Sequence, residues 1–404
     1  MHRQPVHTVY GGAHLFRADT ARRLGDVALR ALEQHLEAPS QLTDIFGIDA
    51  ALAETLVQRV RAKLEREPVE DFRIDFEDGY GNRNDEEEDG HALSAATEVV
   101  QGYQNGTLPP YIGIRIKSLS SEHSRRGLRT LDRFLDVLFA NARAELTQRF
   151  FITLPKLTAP EQPARLAERL GEIEHRNGLP NGSLKFEIMV ETPQTLFGAD
   201  GSAALPLMVT AGAGRVSAAH FGTYDFTASC NITAAHQHMN HPVCDFARAM
   251  MQASLADRVW LSDGSTAVLP VGDTAAVHNA WRMHYSDVRR SLMLGFYQGW
   301  DLHPAQLVTR YLALYAFFLE AYDAAAARLK NFMQHAAQAT LLGSSFDDAA
   351  TGQGLLNYFL RGINSGAFGE LDVSASTGLS PEELHTRSFA RILEMRKTGT
   401  EHRD

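Results

Sequence analysis

Residues 185–192 read KFEIMVET, a continuous apolar run that ends on a carboxylate and sets the pattern for the chain. A strand with both faces buried has such a run, because neither face meets water. Seven similar runs lie on either side of it, namely VHTVYGG (6–12), FRIDFED (72–78), YIGIRI (111–116), FFITLPK (150–156), VSAAHFGTYDF (216–226), RVWLSDG (258–264) and GWDLHP (299–304). Helical patterns separate most of these runs. The sequence therefore predicts the α/β class, as a (β/α)8 TIM barrel.

Several segments extend beyond this alternation of strands and helices. Residues 39–70 are a predicted helical insertion between the first helix and the second strand, and residues 81–91 (GNRNDEEEDGH) are a predicted acidic loop. We therefore expect a barrel domain over residues 1–320, which holds the active site, and a helical C-terminal extension over residues 321–404. We expect this extension to contact a neighbouring subunit.

Two helix starts carry capping residues. Asp19 precedes an apolar stripe that ends at Leu36, and it is the expected N-cap of the first helix. Ser380, with Glu382 and Glu383 near the start of SPEELHTRSFARILEMRK (380–397), resembles the capped start of a helix. Both patterns predict helices that begin at these positions.

Composition narrows the possible partners and compartments. The 404 residues carry a net charge of −10, which disfavours a nucleic-acid partner, although a local basic site for an anion stays possible. The two cysteines, Cys230 and Cys244, are typical of a reducing cytoplasm and do not suggest a disulfide scaffold. No run approaches the roughly 18 apolar residues of a membrane span, and the N-terminus lacks the apolar core of a signal peptide. We expect a cytoplasmic protein with no membrane partner.

Ionisable residues recur where the predicted strands end. Surface charges would scatter over both ends of the strands, whereas the active site of a TIM barrel lies at the carboxyl ends. This bias predicts a functional ring at that end of the barrel. Its members are Glu77, Asp78, Arg115, Lys156, Glu191, Asp225, Asp263 and His303.

Glu191 and Asp225 are the predicted metal ligands. Magnesium prefers oxygen ligands and keeps several waters, and manganese accepts the same donors. Two carboxylates on neighbouring strands would leave coordination positions open for substrate oxygens. The alternative for each carboxylate alone is a helix-capping role.

The remaining members have predicted roles at the substrate. Arg115 would present a rigid cationic fork to a carboxylate or an enolate oxygen, as both a catalytic and a substrate-binding residue. Glu77 and Asp78 are candidates for proton transfer or for orienting metal-bound water. Lys156 and His303 are predicted to bind substrate, with structural roles as the alternatives.

Such a set favours enolate chemistry. Removing a proton beside a carbonyl, or cleaving a carbon–carbon bond next to it, develops negative charge on oxygen, which a metal and an arginine stabilise. A 2-oxo acid can chelate magnesium through its carboxylate and keto oxygens, so no Schiff-base lysine is required.

The order of these motifs resembles the HpcH/HpaI aldolase and citrate lyase β-subunit superfamily, as a divergent subgroup. The resemblance covers roughly residues 6–320 and is closer to the citrate lyase β-subunit branch. It rests on seven motifs in order, which are DFEDGY (75–80), GIRIKS (113–118), TLPK (153–156), MVETPQTL (189–196), FGTYDFTAS (221–229), LSDG (261–264) and GFYQGWDLHPAQL (295–307).

The resemblance implies a magnesium-dependent carbon–carbon lyase or aldolase in a TIM barrel, assembled as a trimer or hexamer. Glu191 and Asp225 match the metal ligands of that branch, and Arg115 matches its substrate arginine. The implied substrate is a 2-oxo acid or a hydroxy-acyl thioester, often of CoA.

Two departures separate this chain from known branches. Asp78 stands where the aldolase branch has a histidine base, and HTVYGGAHLF (7–16) replaces the arginine-containing first strand that helps to hold CoA. A malate-synthase-like condensing enzyme and a catalytically silent ligand- or partner-binding barrel are the alternatives, with a phosphotransfer barrel as a weaker one. The tail acids Asp347, Asp348 and Asp372 are unranked candidates for completing a neighbour's site.

Overall fold

A parallel eight-stranded barrel forms the centre of the protein. The computed structural model describes residues 3–141, 144–255, 258–342 and 349–401. The strands are β1 (His7–Gly12), β2 (Asp71–Asp75), β3 (Tyr111–Arg115), β4 (Phe150–Leu154), β5 (Lys185–Val190), β6 (Val216–Phe221), β7 (Trp260–Ser262) and β8 (Gly299–Asp301). All eight lie within or next to the predicted runs, so the predicted fold class is confirmed.

The strands follow one another around the barrel in chain order. Each of β1 to β6 pairs in parallel with its successor, and β8 pairs with β1. The seam between β7 and β8 is closed by a parallel bridge between Ser265 and Trp300. The amide of Asp263 also donates to the carbonyl of Gln298 at 2.8 Å. This closure brings the carboxyl ends of all eight strands to one mouth.

Helices surround the barrel and continue past its last strand. Those described before β8 are α1 (Thr20–His35), α2 (Gln41–Phe46), α3 (Ala50–Arg66), α4 (Asp85–Asn105), α5 (Ser124–Asn141), α6 (Glu161–Arg176), α7 (Pro193–Leu196), α8 (Leu205–Ala211), α9 (Thr223–Ser229), α10 (Pro242–Leu255) and α11 (Thr274–Met293). Those after β8 are α12 (Gln306–Glu320), α13 (Tyr322–Leu342), α14 (Ala349–Ser365), α15 (Glu370–Thr377), α16 (Pro381–Thr386) and α17 (Phe389–Glu401). The predicted insertion is the pair α2 and α3.

The C-terminal helices pack back onto the barrel. The ring of Phe318, in α12, lies 5.5 Å from the ring of Tyr358 and 5.9 Å from that of Phe368. The amide of Gln4, just before β1, donates to Asn364 of α14 at 3.0 Å. These contacts join the helical extension to the foot of the barrel, the end at which the strands begin.

Three local predictions are wrong in detail. The segment 81–91 is not a loop throughout, because α4 begins at Asp85, with the Asn84 side chain accepting from the amide of Glu87 at 2.8 Å. Four consecutive acids fill the first turn of α4, where the helix dipole favours negative charge. Asp19 makes no side-chain cap and instead accepts from Nε of Arg23 at 2.9 Å.

The third correction concerns the last predicted helix. The predicted cap is confirmed and is a capping box, since Ser380 and Glu383 exchange hydrogen bonds of 3.2 and 2.8 Å. The helix then ends at Thr386, because Arg387 adopts φ +55°, a left-handed conformation that interrupts the helical ladder. The segment therefore forms two helices, α16 and α17.

The barrel interior holds buried charges that cross between opposite strands. Arg73, on β2 and fully buried, lies 2.8 Å from the carboxylate of Glu187 on β5, and it also pairs with Asp71. His220, on β6, lies 3.3 Å from the same Glu187 oxygen. Burial would raise the pKa of Glu187, but Arg73 and His220 lower it to about 2. The lower barrel is therefore an ion-pair network and not an apolar core.

Replacing Arg73 by leucine should destabilise the protein strongly. The change leaves two buried carboxylates without their cation, which costs about 3–5 kcal/mol in the free energy of unfolding. Urea unfolding followed by circular dichroism measures the effect. The control is Arg176→Leu, which removes an ion pair with Asp136 in which the two side chains are 47% and 54% exposed. This change should lower the free energy of unfolding by at most about 1 kcal/mol. Equal losses in both variants would contradict a stabilising role for the buried network.

None of the described helices combines the length and the apolar character that a membrane crossing requires.

Candidate active site

Four of the predicted site residues meet at the carboxyl ends of β2, β3 and β4. Nη1 of Arg115 lies 3.2 Å from Glu77 and 3.5 Å from Asp78. Nζ of Lys156 donates to Asp78 at 2.8 Å and pairs more closely with Glu77. Two cations and two carboxylates thus form one charged cluster, which we call the strand-end cluster.

Asp75 orients Arg115 and was missed by the sequence analysis. Its carboxylate accepts from Nε and Nη2 of Arg115 at 2.8 and 2.5 Å, a bidentate pair that leaves Nη1 facing the cluster. The amides of Glu77 and Gly79 also donate to Asp75, at 2.9 and 2.7 Å. The available signal was the alternation of Asp71, Arg73 and Asp75, which places all three on the interior face of β2.

The turn after β4 connects the cluster to Glu191. Lys156 adopts φ +52°, a left-handed conformation that is costly for a side-chain-bearing residue. In this conformation its amide donates to Oε2 of Glu191 at 2.9 Å while its ammonium reaches Glu77 and Asp78. The Leu-Pro-Lys turn therefore uses backbone and side chain to join two parts of the site.

Glu191 lies at the floor of the mouth, one residue after β5. Its side chain is buried. A side chain at Gly222, which follows β6, would approach Cγ of Glu191 to 2.4 Å, so glycine is needed there for the carboxylate to fit. Asp225 follows in the first turn of α9 and is half-buried. The predicted sixth strand ends at Phe221, so Asp225 is positioned by a helix and not by a strand end.

The pKa values of the two acids in the cluster move apart. Burial and the neighbouring Asp78 raise the pKa of Glu77, against the opposing effect of Arg115. Burial also acts on Asp78, but Arg115 and Lys156 outweigh it and lower its pKa. Adjacent carboxyls with divergent pKa values suit separate proton-holding and charge-holding roles.

The carboxylates of Glu191 and Asp225 influence each other. Burial raises the pKa of Glu191 to about 8, and the charges of Asp225 and Glu77 add to the rise. Burial likewise raises the pKa of Asp225. Each carboxyl therefore lacks a cation that would fully compensate its charge.

This donor set fits a magnesium ion. Both side chains offer only oxygen, and Oε2 of Glu191 is already fixed by the Lys156 amide. Within the described ranges, no group of three or more His, Cys, Asp or Glu side chains could hold a metal. A cation held by Glu191 and Asp225 alone would keep positions for water and substrate oxygens.

Other members of the predicted ring are used differently. Asp263 is buried and accepts from Arg248 at 3.0 Å and from Ser291 at 2.6 Å, which gives it a structural role. Nδ1 of His303 accepts from the amide of Ala305 at 3.2 Å, and no described hydrogen bond joins it to the strand-end cluster. Its predicted substrate contact stays a prediction.

One of the three tail acids lies within the described residues. Asp347 and Asp348 lie outside the described residues. Asp372 accepts from the amide of Gly369 at 3.1 Å at the start of α15. Its described contact is a helix cap.

The fold and site define a class, a (β/α)8 barrel with acidic and basic groups at its mouth. The structure is similar to a citrate lyase from Burkholderia xenovorans LB400, with a TM-score of 0.56 and 17% identity over 94% of this chain and 98% of that chain. At this identity the likeness supports the fold alone. The predicted resemblance to citrate-lyase-like proteins is thus confirmed for the fold, while superfamily membership stays a prediction.

Two weaker structural similarities have TM-scores below 0.5. Haloferax volcanii malate synthase in its magnesium and glyoxylate complex has a TM-score of 0.49 at 14% identity, over 94% of this chain and 99% of that chain. The citrate lyase beta subunit from M. tuberculosis, complexed with oxaloacetate and magnesium, has a TM-score of 0.41 at 14% identity, over 76% and 96%.

The chain belongs to the family described as domain of unknown function DUF6986, whose sequence model matches residues 1–392. No curated protein matches the sequence.

Proposed function

We propose that this protein makes or breaks a carbon–carbon bond next to a carbonyl, through an enolate, with a 2-oxo acid or an acyl thioester as substrate. The observation that supports this most is the orientation of Arg115. Asp75 holds two of its nitrogens, so Nη1 is directed at the acids of the cluster, which Lys156 joins to Glu191. A fixed guanidinium suits charge that develops on a carbonyl oxygen.

We assign the metal to Glu191 and Asp225. Bound there, magnesium would act as a Lewis acid and stabilise negative charge on a substrate oxygen. The amide of Lys156 keeps Glu191 in place, and its ammonium pairs with the two cluster acids. Manganese satisfies the same oxygen donors.

Glu77 is the proposed proton carrier. Its pKa is raised by burial while that of its neighbour Asp78 is lowered, so Glu77 can hold a proton at a pH at which Asp78 is ionised. A general acid or base works best when its pKa lies near the working pH. Asp78, which is more exposed, would hold Lys156 and Arg115 in position.

The experiment is the loss of the pyruvate methyl signal by proton NMR in D₂O. We expect exchange that requires magnesium and disappears after chelation, because enolate formation removes a methyl proton. Acetyl-CoA with glyoxylate tests the condensing alternative, and malyl and citramalyl thioesters test the lyase direction. A protein that is inactive with all of these substrates would contradict the enolate proposal and favour a silent barrel. The trimer or hexamer and the use of CoA stay predictions.

A further inference from the structure

The mouth of the barrel carries apolar side chains on the side of β7 and β8, across from the strand-end cluster. The loop that follows β7, residues 265–272 (STAVLPVG), contains no charged residue, and its Val268, Leu269 and Val271 are exposed. Leu302, which follows β8, is also exposed. Segments that follow the strands lie at the carboxyl end of a barrel, the end that holds the cluster. We call these four side chains the apolar rim.

One buried glutamine joins the two parts of the apolar rim. Nε2 of Gln306 donates to the carbonyl of Thr266 at 2.9 Å, and its Oε1 accepts from the amides of Leu302 and His303 at 2.7 and 3.1 Å. Gln306 is fully buried, so these hydrogen bonds are strengthened by the low local dielectric. The loop after β7 and the turn after β8 are therefore held side by side.

The loop after β7 is also held next to the proposed metal site. The hydroxyl of Tyr224 donates to the carbonyl of Ser265 at 3.0 Å and accepts from the amide of Ala267 at 2.7 Å. Tyr224 directly precedes Asp225, the proposed metal ligand, in the first turn of α9. The exposed part of the loop therefore begins one residue after a backbone position that is anchored beside Asp225.

Aromatic side chains connect Arg115 with the apolar rim. The ring centre of Tyr10, on β1, lies 4.9 Å from the guanidinium carbon of Arg115 and 4.6 Å from the ring centre of Trp300, on β8. Nε1 of Trp300 donates to His220 at 3.2 Å, which fixes the indole. Leu302 lies two residues after Trp300, the spacing at which strand side chains share a face. An apolar path therefore runs from Arg115 to the rim.

We propose that the substrate carries an apolar chain that lies along Tyr10 and Trp300 and ends on the apolar rim. The inference rests on the proposed function, which assigns the 2-oxo or acyl head of the substrate to Arg115 and the metal. A cluster of exposed apolar side chains beside a charged site marks a surface that a ligand covers, because water solvates it poorly. The substrate class is therefore a straight-chain or branched-chain 2-oxo or hydroxy-acyl compound that is larger than pyruvate or glyoxylate.

Isothermal titration calorimetry on the full chain with magnesium tests the proposal. The probes are pyruvate, 2-oxobutanoate, 2-oxopentanoate and 2-oxohexanoate, which share one head and differ only in chain length. We expect the affinity to rise by about two- to fourfold for each added methylene, because each one leaves water for an apolar surface. Equal affinity along the series, or binding of no member, would overturn the proposal.

Variants locate the chain. Leu302→Ser and Val268→Ser should each reduce the rise in affinity along the series. The matched control is Leu93→Ser on α4, since Leu93 and Leu302 are both 41% exposed. A rise that persists in both rim variants would mean that the chain lies elsewhere. Sedimentation adds a second readout: rim variants that dissociate an oligomer and keep the rise in affinity would show that a second copy of the chain covers the rim. Either result would overturn the proposal.

Deuterium exchange beside the keto group of the same probes separates this inference from the proposed function. Exchange without any dependence of affinity on chain length would support the enolate and overturn the site for the apolar chain. Affinity that rises with chain length and falls in the rim variants, without exchange of any probe, would support the site and contradict the enolate.

Discussion

Glu191→Gln should abolish magnesium-dependent turnover while the barrel still folds. The amide is neutral and offers a single weak oxygen donor, so the cation loses one of its two protein carboxylates. Mutation of a residue that hydrogen-bonds to a metal ligand lowers metal affinity or activity by about 10–100-fold. We therefore expect a larger loss when the ligand Glu191 itself is changed, and the same for Asp225→Asn. Deuterium exchange into the substrate measures turnover. Titration with Mn²⁺, followed by electron paramagnetic resonance, measures metal affinity.

The matched control is Glu168→Gln, an exposed acid on α6 that is remote from the mouth. It should leave both turnover and metal affinity unchanged. Full activity in either the Glu191 or the Asp225 variant would refute the assignment of these carboxylates to the metal.

The stability of the metal-free variant separates a ligand role from a structural one. The pKa of Glu191 is raised to about 8 by burial, whereas a glutamate in the unfolded chain has a pKa of about 4.3. The folded state therefore keeps a proton that the unfolded chain releases, and Glu191 lowers stability increasingly as pH rises between these values. Glutamine removes this cost, so the metal-free variant should unfold at higher urea than wild type at pH 8 and equally at about pH 4.

The strand order and most of the mouth were predictable from sequence for one physical reason. Parallel strands in a barrel place their carboxyl ends together, so a strand-end residue is also a mouth residue. The strand-end positions of Glu77, Arg115 and Lys156 therefore predicted that these residues meet. Asp225 was predicted beside the end of the sixth strand, but it lies in the first turn of α9. In the sequence, the apolar start of a helix cannot be distinguished from the continuation of a buried strand.

The charged interior could not be predicted in the same way. The partner of Arg73 is Glu187, more than a hundred positions along the chain, and only barrel closure brings β2 and β5 face to face. The contact at the foot of the barrel has the same origin, since it joins the segment at Gln4 to α14 near the other end of the chain. A local sequence pattern indicates which face of a strand is buried. It does not indicate which charged residue, far along the chain, lies against that face.

Arg115→Gln should lower turnover by about 10²–10³-fold, the cost of removing one fixed donor from a developing oxyanion. Removing this cation alone would leave Asp75 buried and unpaired, so the variant is best made with Asp75→Asn, which keeps the pair neutral. Arg115→Lys should not restore activity, because lysine keeps the charge but not the fork that Asp75 grips. Metal affinity should change little in Arg115→Gln, in its combination with Asp75→Asn and in Arg115→Lys. A collapse of metal binding would instead mean that Arg115 acts by holding the carboxylates around Glu191, and the assignment of its Nη1 to the substrate would then be wrong.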